Sequence, residues 1–121
     1  MTFKIHHAQI SIPEGSEPLA REFYSKVLGL DEIAKPQSLA GRGGLWFQLE
    51  GGQLHCGVED GVDRTKTKAH VAIEVENLPD IKRKITEYGL KPEDGIPIPG
   101  FDRFEFRDPF GNRMEIIARS R

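Results

Sequence analysis

The chain has 121 residues, the length of one compact domain, and carries 17 lysines and arginines against 19 aspartates and glutamates, a balance that leaves no basic footprint for nucleic acid. Its single cysteine excludes an intrachain disulfide and a cysteine-rich zinc site, and is typical of a reducing cytosol. Because no apolar run could span a bilayer and the first residues lack a signal-peptide core, we expect a cytoplasmic protein without membrane contact.

The first half of the chain predicts one strand followed by one helix. Residues 5–12 alternate in hydropathy, which indicates a half-buried strand with His7 on its polar face. Ser16 is the predicted N-cap of the helix, and Gly29 marks its end. The apolar stripe expected on this helix consists of Leu19, Phe23, Val27 and Leu28.

The second half repeats this pattern. Residues 69–75 alternate again, with His70 on the polar face, and Asn77 and Gly89 are the predicted start and end of a second helix. The segment 88–90, Tyr-Gly-Leu, matches Leu-Gly-Leu at 28–30. The expected apolar stripe is Leu78, Ile81, Ile85 and Tyr88.

Strand-like segments follow each predicted helix. Residues 60–68 are polar and without period, which is typical of a linker. We therefore expect an α+β fold in a single domain, 1–121, built from two modules, about 1–60 and 69–121. The predicted strands after the helices are 39–49 and 53–59, then 101–107 and 113–118, with a short edge segment at 96–100.

The histidines fall on the repeat. His7 and His70 open equivalent strands, and His55 and Glu115 each lie 26 residues beyond the glycine that ends the preceding helix. Three imidazoles and one carboxylate are suitable ligands for Zn, Ni, Fe(II), Co or Mn. If the two modules pack with pseudo-twofold symmetry, these four side chains would converge on one metal.

Each of these residues also has a structural explanation. A lone strand histidine is commonly a hydrogen-bonded structural residue, and Glu115 would equally suit the solvent face of an edge strand. Gln53 lies two residues from His55 on the same strand face and is an alternative ligand. Three further side chains are candidates for binding a substrate, two of them through an anionic group: Trp46, and the cations Arg42 and Arg103.

The sequence resembles the glyoxalase/bleomycin-resistance/extradiol-dioxygenase superfamily, also called vicinal oxygen chelate proteins. The resemblance covers nearly the whole chain and is carried by segments 7–12, 20–30, 70–75 and 108–115. It implies two βαβββ modules that form a curved mixed sheet around a central cleft, usually in homodimers. It also implies that His7, His70 and Glu115 bind one divalent metal, with His55 or Gln53 as a further ligand.

The function implied by the resemblance is a glyoxalase-like lyase or isomerase, or a related transferase. The metal would bind a small oxygenated substrate, and Glu115 would also act as a catalytic base. Two alternatives remain: a non-catalytic module that sequesters a small molecule, as antibiotic-resistance members do, and an Fe(II) ring-cleaving dioxygenase. The last fits less well, because extradiol dioxygenases usually carry a second pair of modules and further catalytic residues that have no clear match in this chain.

Overall fold

A computed structural model describes all 121 residues, which form two compact units, Met1–Val62 and Asp63–Arg121. Each unit contains a strand, a helical segment and three further strands. No helix in either unit is long and apolar enough to cross a membrane. The α+β class and the two βαβββ modules predicted from the sequence are therefore confirmed.

The first unit forms a four-stranded mixed sheet. Its strands are β1 (His7–Ile12), β2 (Asp31–Ile33), β3 (Leu45–Leu49) and β4 (Gly52–Val58). The spatial order is β1-β4-β3-β2, with β1 parallel to β4 and the other pairs antiparallel. Helix α1 (Glu17–Ala20) continues into a π-helical segment (Arg21–Val27), and a 3₁₀ helix (Gln37–Arg42) precedes β3.

The second unit has the same strand order. Its strands are β5 (His70–Glu74), β6 (Glu93–Asp94), β7 (Phe101–Arg107) and β8 (Arg113–Arg119). They lie in the order β5-β8-β7-β6, again with only the first pair parallel. A 3₁₀ turn (Arg64–Lys66) precedes β5, and helix α2 (Leu78–Tyr88) follows it.

The pairing register makes the two sheets comparable residue by residue. In each unit the histidine at the start of the first strand pairs with a residue of the last strand. The other predicted ligand of that unit lies two residues further along the last strand. This ligand on the last strand also pairs with a residue of the antiparallel strand on its other side. The equivalent positions are His7 and His70, Gln53 and Arg113, His55 and Glu115, and Trp46 and Glu105.

Each unit buries the apolar face of its sheet together with a helix. In the first unit the helical segment contributes Phe23 and Tyr24, and the Tyr24 ring contacts Phe47 of β3. In the second unit α2 packs against β7 and β8 and buries Ile85. Because alternate residues of a strand face opposite sides of the sheet, burying these apolar residues leaves the predicted ligands on the other face.

The two helices confirm the predicted boundaries to different degrees. Asn77 caps α2 by accepting from the Asp80 amide, and Gly89 ends it with a φ of 105°. Ser16 precedes α1 but makes no cap, since its hydroxyl donates to the Pro13 carbonyl.

The predicted apolar stripe of the first helix is partly wrong. Leu19 is exposed, whereas Ala20 and Tyr24 are fully buried. The exposed Leu19 and the buried Ala20 both lie in the α-helical turn Glu17–Ala20, and Ala20, Phe23 and Tyr24 have the i, i+3, i+4 spacing of one helix face, on which Leu19 does not lie.

Two strand predictions also need correction. Residues before Leu45 form the 3₁₀ helix Gln37–Arg42 rather than a strand, because two glycines with φ of 71° and 84° separate that helix from β3. The short edge strand is Glu93–Asp94 and not 96–100, where Ile98 makes only one bridge to Phe101. The prolines in that stretch lack the amide hydrogens that a strand needs.

Candidate metal and substrate site

Three aromatic rings stack on the polar face of the first unit. His55 lies between His7 and Trp46, with ring centroids 4.1 Å and 4.0 Å apart and interplanar angles of 13° and 4°. The rings come from neighbouring strands, because β4 lies between β1 and β3. His55 is only 4% exposed, so the stack holds its ring orientation by contact on both faces.

The stacked His55 favours its neutral form. Its Nε2 lies 2.9 Å from the side-chain oxygen of Gln53, and since an amide oxygen only accepts, Nε2 donates. Burial lowers the pKa of His55, and repulsion from His7, His6 and Lys35 lowers it further. The two alternative ligands, His55 and Gln53, are therefore in direct contact.

The second unit brings His70 and Glu115 together. His70 Nε2 lies 3.2 Å from Glu115 Oε1, and the Glu115 side chain is buried. His70 Nδ1 lies 2.9 Å from the Lys68 carbonyl, which only accepts, so Nδ1 carries a proton. In a neutral His70 the unprotonated Nε2 would then face a carboxylate oxygen, and two acceptors at this distance need a proton or a metal cation between them.

Glu115 also belongs to an ionic chain across β7 and β8. Arg103 Nη1 donates to Glu115 Oε1 at 2.9 Å and to Glu105 Oε1 at 3.1 Å. Glu105 Oε2 accepts from Arg113 at 2.6 Å and 3.0 Å. The Arg113 bonds, followed by those of Arg103, lower the pKa of Glu105 against the opposing effect of burial. Negative and positive side chains thus alternate along this ionic chain from Glu115 to Arg113.

The Arg103 side chain is enclosed by the segment that follows β6. Its Nε donates to the Ile96 carbonyl at 3.0 Å. A Cβ atom on Gly95 would lie 2.7 Å from the guanidinium carbon of Arg103, so the close approach depends on the absence of a side chain there. These contacts give Arg103 one fixed position, beside Glu115.

The predicted site residues thus fall into two local groups. His7, His55, Gln53 and Trp46 lie together in the first unit, and His70, Glu115 and Arg103 lie together in the second. Neither unit by itself gathers three His, Cys, Asp or Glu side chains that could hold a metal. Arg103, predicted to bind substrate, is occupied by two carboxylates and a carbonyl.

A cavity of about 400 Å³ adjoins the ring stack in the first unit. Its walls include the rings of His7, His55 and Trp46, together with Arg42, a candidate substrate-binding residue, and Lys35, which no sequence pattern indicated. A cavity of about 610 Å³ in the second unit includes neither His70 nor Glu115 in its walls. The smaller cavity is therefore the one that contacts candidate ligands.

Comparison with known proteins now gives the family. A family model for the Glyoxalase/Bleomycin resistance protein/Dioxygenase superfamily matches residues 4–116. The fold is similar to that of a glyoxalase family protein from Bacillus anthracis, with 36% identity, a TM-score of 0.90, and coverage of 99% of this chain and 98% of that one. Comparison with curated proteins gave no match.

More distant structures share the fold. A glyoxalase/dioxygenase from Nostoc punctiforme is 22% identical, with a TM-score of 0.79 over 98% of this chain and 92% of that one. The fosfomycin resistance protein FosX from Listeria monocytogenes is 14% identical, with a TM-score of 0.75 over 99% and 96%. Superfamily members include glyoxalases, fosfomycin resistance enzymes and dioxygenases, and typically use a divalent metal and form dimers. The match over residues 4–116 shows that this chain belongs to the Glyoxalase/Bleomycin resistance protein/Dioxygenase superfamily.

Proposed function

We propose that the protein is a metal-dependent lyase or isomerase of the glyoxalase type, or a related transferase, acting on a small oxygenated substrate. His7, His70 and Glu115 are the proposed ligands of one divalent metal, with His55 or Gln53 as a fourth. The proposal is carried by one observation: His70 Nε2 and Glu115 Oε1 lie 3.2 Å apart. Ligands on metal bonds of about 2.0–2.2 Å have similar separations.

The surroundings of these residues suit metal binding. The Lys68 carbonyl holds the Nδ1 proton of His70 and leaves Nε2 as the donor atom, an arrangement common around metal-bound histidines. The lowered pKa of His55 favours the neutral imidazole that a metal requires. Zn, Ni, Fe(II), Co and Mn all accept this donor set, so the residues leave the identity of the metal open.

The chain's own residues would divide the chemistry between them. A bound metal supplies a Lewis acid that polarises a substrate carbonyl or stabilises an oxyanion. The Glu115 carboxylate would accept a proton from the substrate and return it. Arg103, hydrogen-bonded to Glu115 Oε1, would keep that carboxylate in place during the transfer. We expect the active form to be a cytoplasmic homodimer that binds neither nucleic acid nor membranes.

A second candidate function is a non-catalytic module that sequesters a small molecule. The observation that favours it is the cavity in the first unit, which has aromatic walls and includes neither His70 nor Glu115 among its lining residues. Tight ligand binding that is unaffected by a chelator, without turnover, would identify this function.

The metal content of untagged protein tests the first proposal. We expect about one equivalent of metal in the wild type and its loss in both His70→Ala and Glu115→Ala, since each removes one donor. The control is Glu50→Ala, which removes an exposed carboxylate outside both groups. Iron would favour oxygen chemistry and the dioxygenase alternative, whereas nickel or zinc would favour isomerisation or lyase chemistry.

Two results would overturn the proposal. One is a wild-type protein that takes up no metal even after reconstitution. The other is a Glu115→Ala protein that keeps the full metal content, because the proposed ligand set would then be wrong.

A further inference from the structure

We propose that the cavity of the first unit binds an oxyanionic group of a planar organic substrate, and that Lys35 and Arg42 select for that charge. The inference builds on the proposed function, since it takes this cavity as part of the substrate site. It adds a substrate class, organic carboxylates and phosphonates, and two residues that determine specificity.

The charge of the cavity wall is one-sided. Lys35 and Arg42 both line the cavity, and no aspartate or glutamate does. Arg42 lies in the exposed 3₁₀ helix and forms no ion pair with a carboxylate. This differs from many other arginines of the chain, which are held by acidic partners: Arg21, Arg83, Arg103 and Arg113. The residues that line the cavity therefore include two cations and no carboxylate.

A backbone contact fixes the position of Lys35. Its half-buried Nζ donates to the Gly43 carbonyl, next to Arg42, so both cations belong to the same wall. An ammonium has three N–H donors, and this contact uses one of them. The nearby carboxylate of Glu17 accepts from the Gly44 amide and does not pair with Lys35. Two donors of Lys35 thus remain for an oxyanion.

The rest of the wall suits a flat organic body. Trp46 and Leu39 line the cavity, and the Trp46 ring lies parallel to that of His55. Planar groups gain from stacking against such rings. The volume of about 400 Å³ lies within the range of about 300–1,000 Å³ that holds small organic ligands. The fitting ligand is therefore a small planar organic anion.

Binding of three matched probes to metal-free protein tests this inference. Benzoate and phenylphosphonate carry an oxyanion on one ring, and benzamide is the neutral counterpart. Calorimetry, together with the fluorescence of Trp46, the one tryptophan of the chain, reports binding in this unit. We expect both anions, or the one of fitting size, to bind about tenfold more tightly than benzamide, because charge-assisted hydrogen bonds are the stronger kind.

Variants assign the selectivity to the two cations. Lys35→Met and Arg42→Met should each weaken anion binding by about tenfold and leave benzamide unchanged. Lys35→Arg, which keeps the charge, should keep the preference and guards against a loss of folding in Lys35→Met. Lys26→Met, an exposed cation on the π-helical segment that does not line the cavity, is the matched control and should bind like the wild type.

The anion-binding test can succeed or fail independently of the metal-content test. Anion selectivity that persists in Glu115→Gln and in chelator-treated protein supports the subsite whether or not the protein binds metal. Equal binding of benzoate, phenylphosphonate and benzamide, binding of none of them, or wild-type anion affinity in both methionine variants would overturn it, even in a protein that holds its metal.

Discussion

The two units share a strand order and a pairing register, but equivalent positions have opposite chemical surroundings. In the first unit His55 is packed between two rings, and burial favours its neutral form. In the second unit Glu115 contacts His70 and accepts a hydrogen bond from Arg103. Because the strand pairing is equivalent, the neighbouring side chains alone give His55 an aromatic environment and Glu115 an ionic one.

This difference teaches how a duplicated fold can serve two protonation requirements. A ligating histidine has to lose its proton, which burial among rings favours. The carboxylate of Glu105, which contacts two guanidinium groups, instead favours its ionised form. The first unit has Trp46 where the second unit has Glu105. This difference is central to the contrast, since Glu105 connects Arg103 with Arg113.

The largest effect is expected where the units are alike, in their apolar cores. Phe47 and Phe106 occupy equivalent positions on β3 and β7 and are both buried. Phe47→Ala and Phe106→Ala should each lower the free energy of unfolding by about 3–5 kcal/mol, measured by urea denaturation. A cost below about 1 kcal/mol in one unit would show that the two cores are not equivalent.

A smaller effect is expected from the ionic chain of the second unit. Glu105→Gln removes the charge shared by Arg103 and Arg113 and should lower the free energy of unfolding at pH 7 by about 1–3 kcal/mol. The folded-state pKa of Glu105 lies below its ordinary value of 4.5. Its stabilisation is therefore complete above pH 4.5 and is lost as the pH falls through the lower folded-state pKa.

Denaturation across the acid range checks the sign. The wild type should lose more stability between neutral and acid pH than Glu105→Gln does, and Glu76→Gln, an exposed carboxylate of the same unit, should behave like the wild type. Parallel pH profiles for the wild type and Glu105→Gln would show that the ionic chain contributes nothing.

The smallest effect at neutral pH is expected from the ring stack. The folded-state pKa of His55 lies below 6.5, so the stability tied to its neutral form is complete above that pH and declines as the pH falls below it. Protonated imidazole quenches indole fluorescence, so Trp46 should report the transition in chelator-treated protein. The midpoint should lie below pH 6.5, and the transition should vanish in His55→Gln. A transition unchanged in that variant would assign it to another group.

Local signals account for what the sequence predicted well. Asn77 and Gly89 mark the ends of α2 by short-range hydrogen bonding and backbone conformation, so a few residues suffice to recognise them. The equivalence of His7 with His70 follows from spacing along the chain, and the register confirms it. Fold and repeat were therefore predictable in most respects.

The remaining features depend on contacts between distant residues. The partners of Arg103 are set by the pairing of β7 with β8, and residue type alone does not indicate that a carboxylate twelve positions away will accept its hydrogen bond. Lys35 lies outside any periodic segment and reaches the cavity only because the 3₁₀ helix folds back toward it. Both roles appear only once the chain is folded.

The contact between Gly95 and Arg103 has a genetic consequence. A Cβ atom at position 95 would lie 2.7 Å from the guanidinium carbon of Arg103, so that end of the side chain would have to shift. A Gly95→Ala mutation, in a loop far from Glu115 in sequence, would therefore push Arg103 away from the carboxylate and resemble a mutation of the site itself. A shorter cation in Arg103→Lys would relieve the clash and act as its suppressor, so the two positions are expected to evolve together.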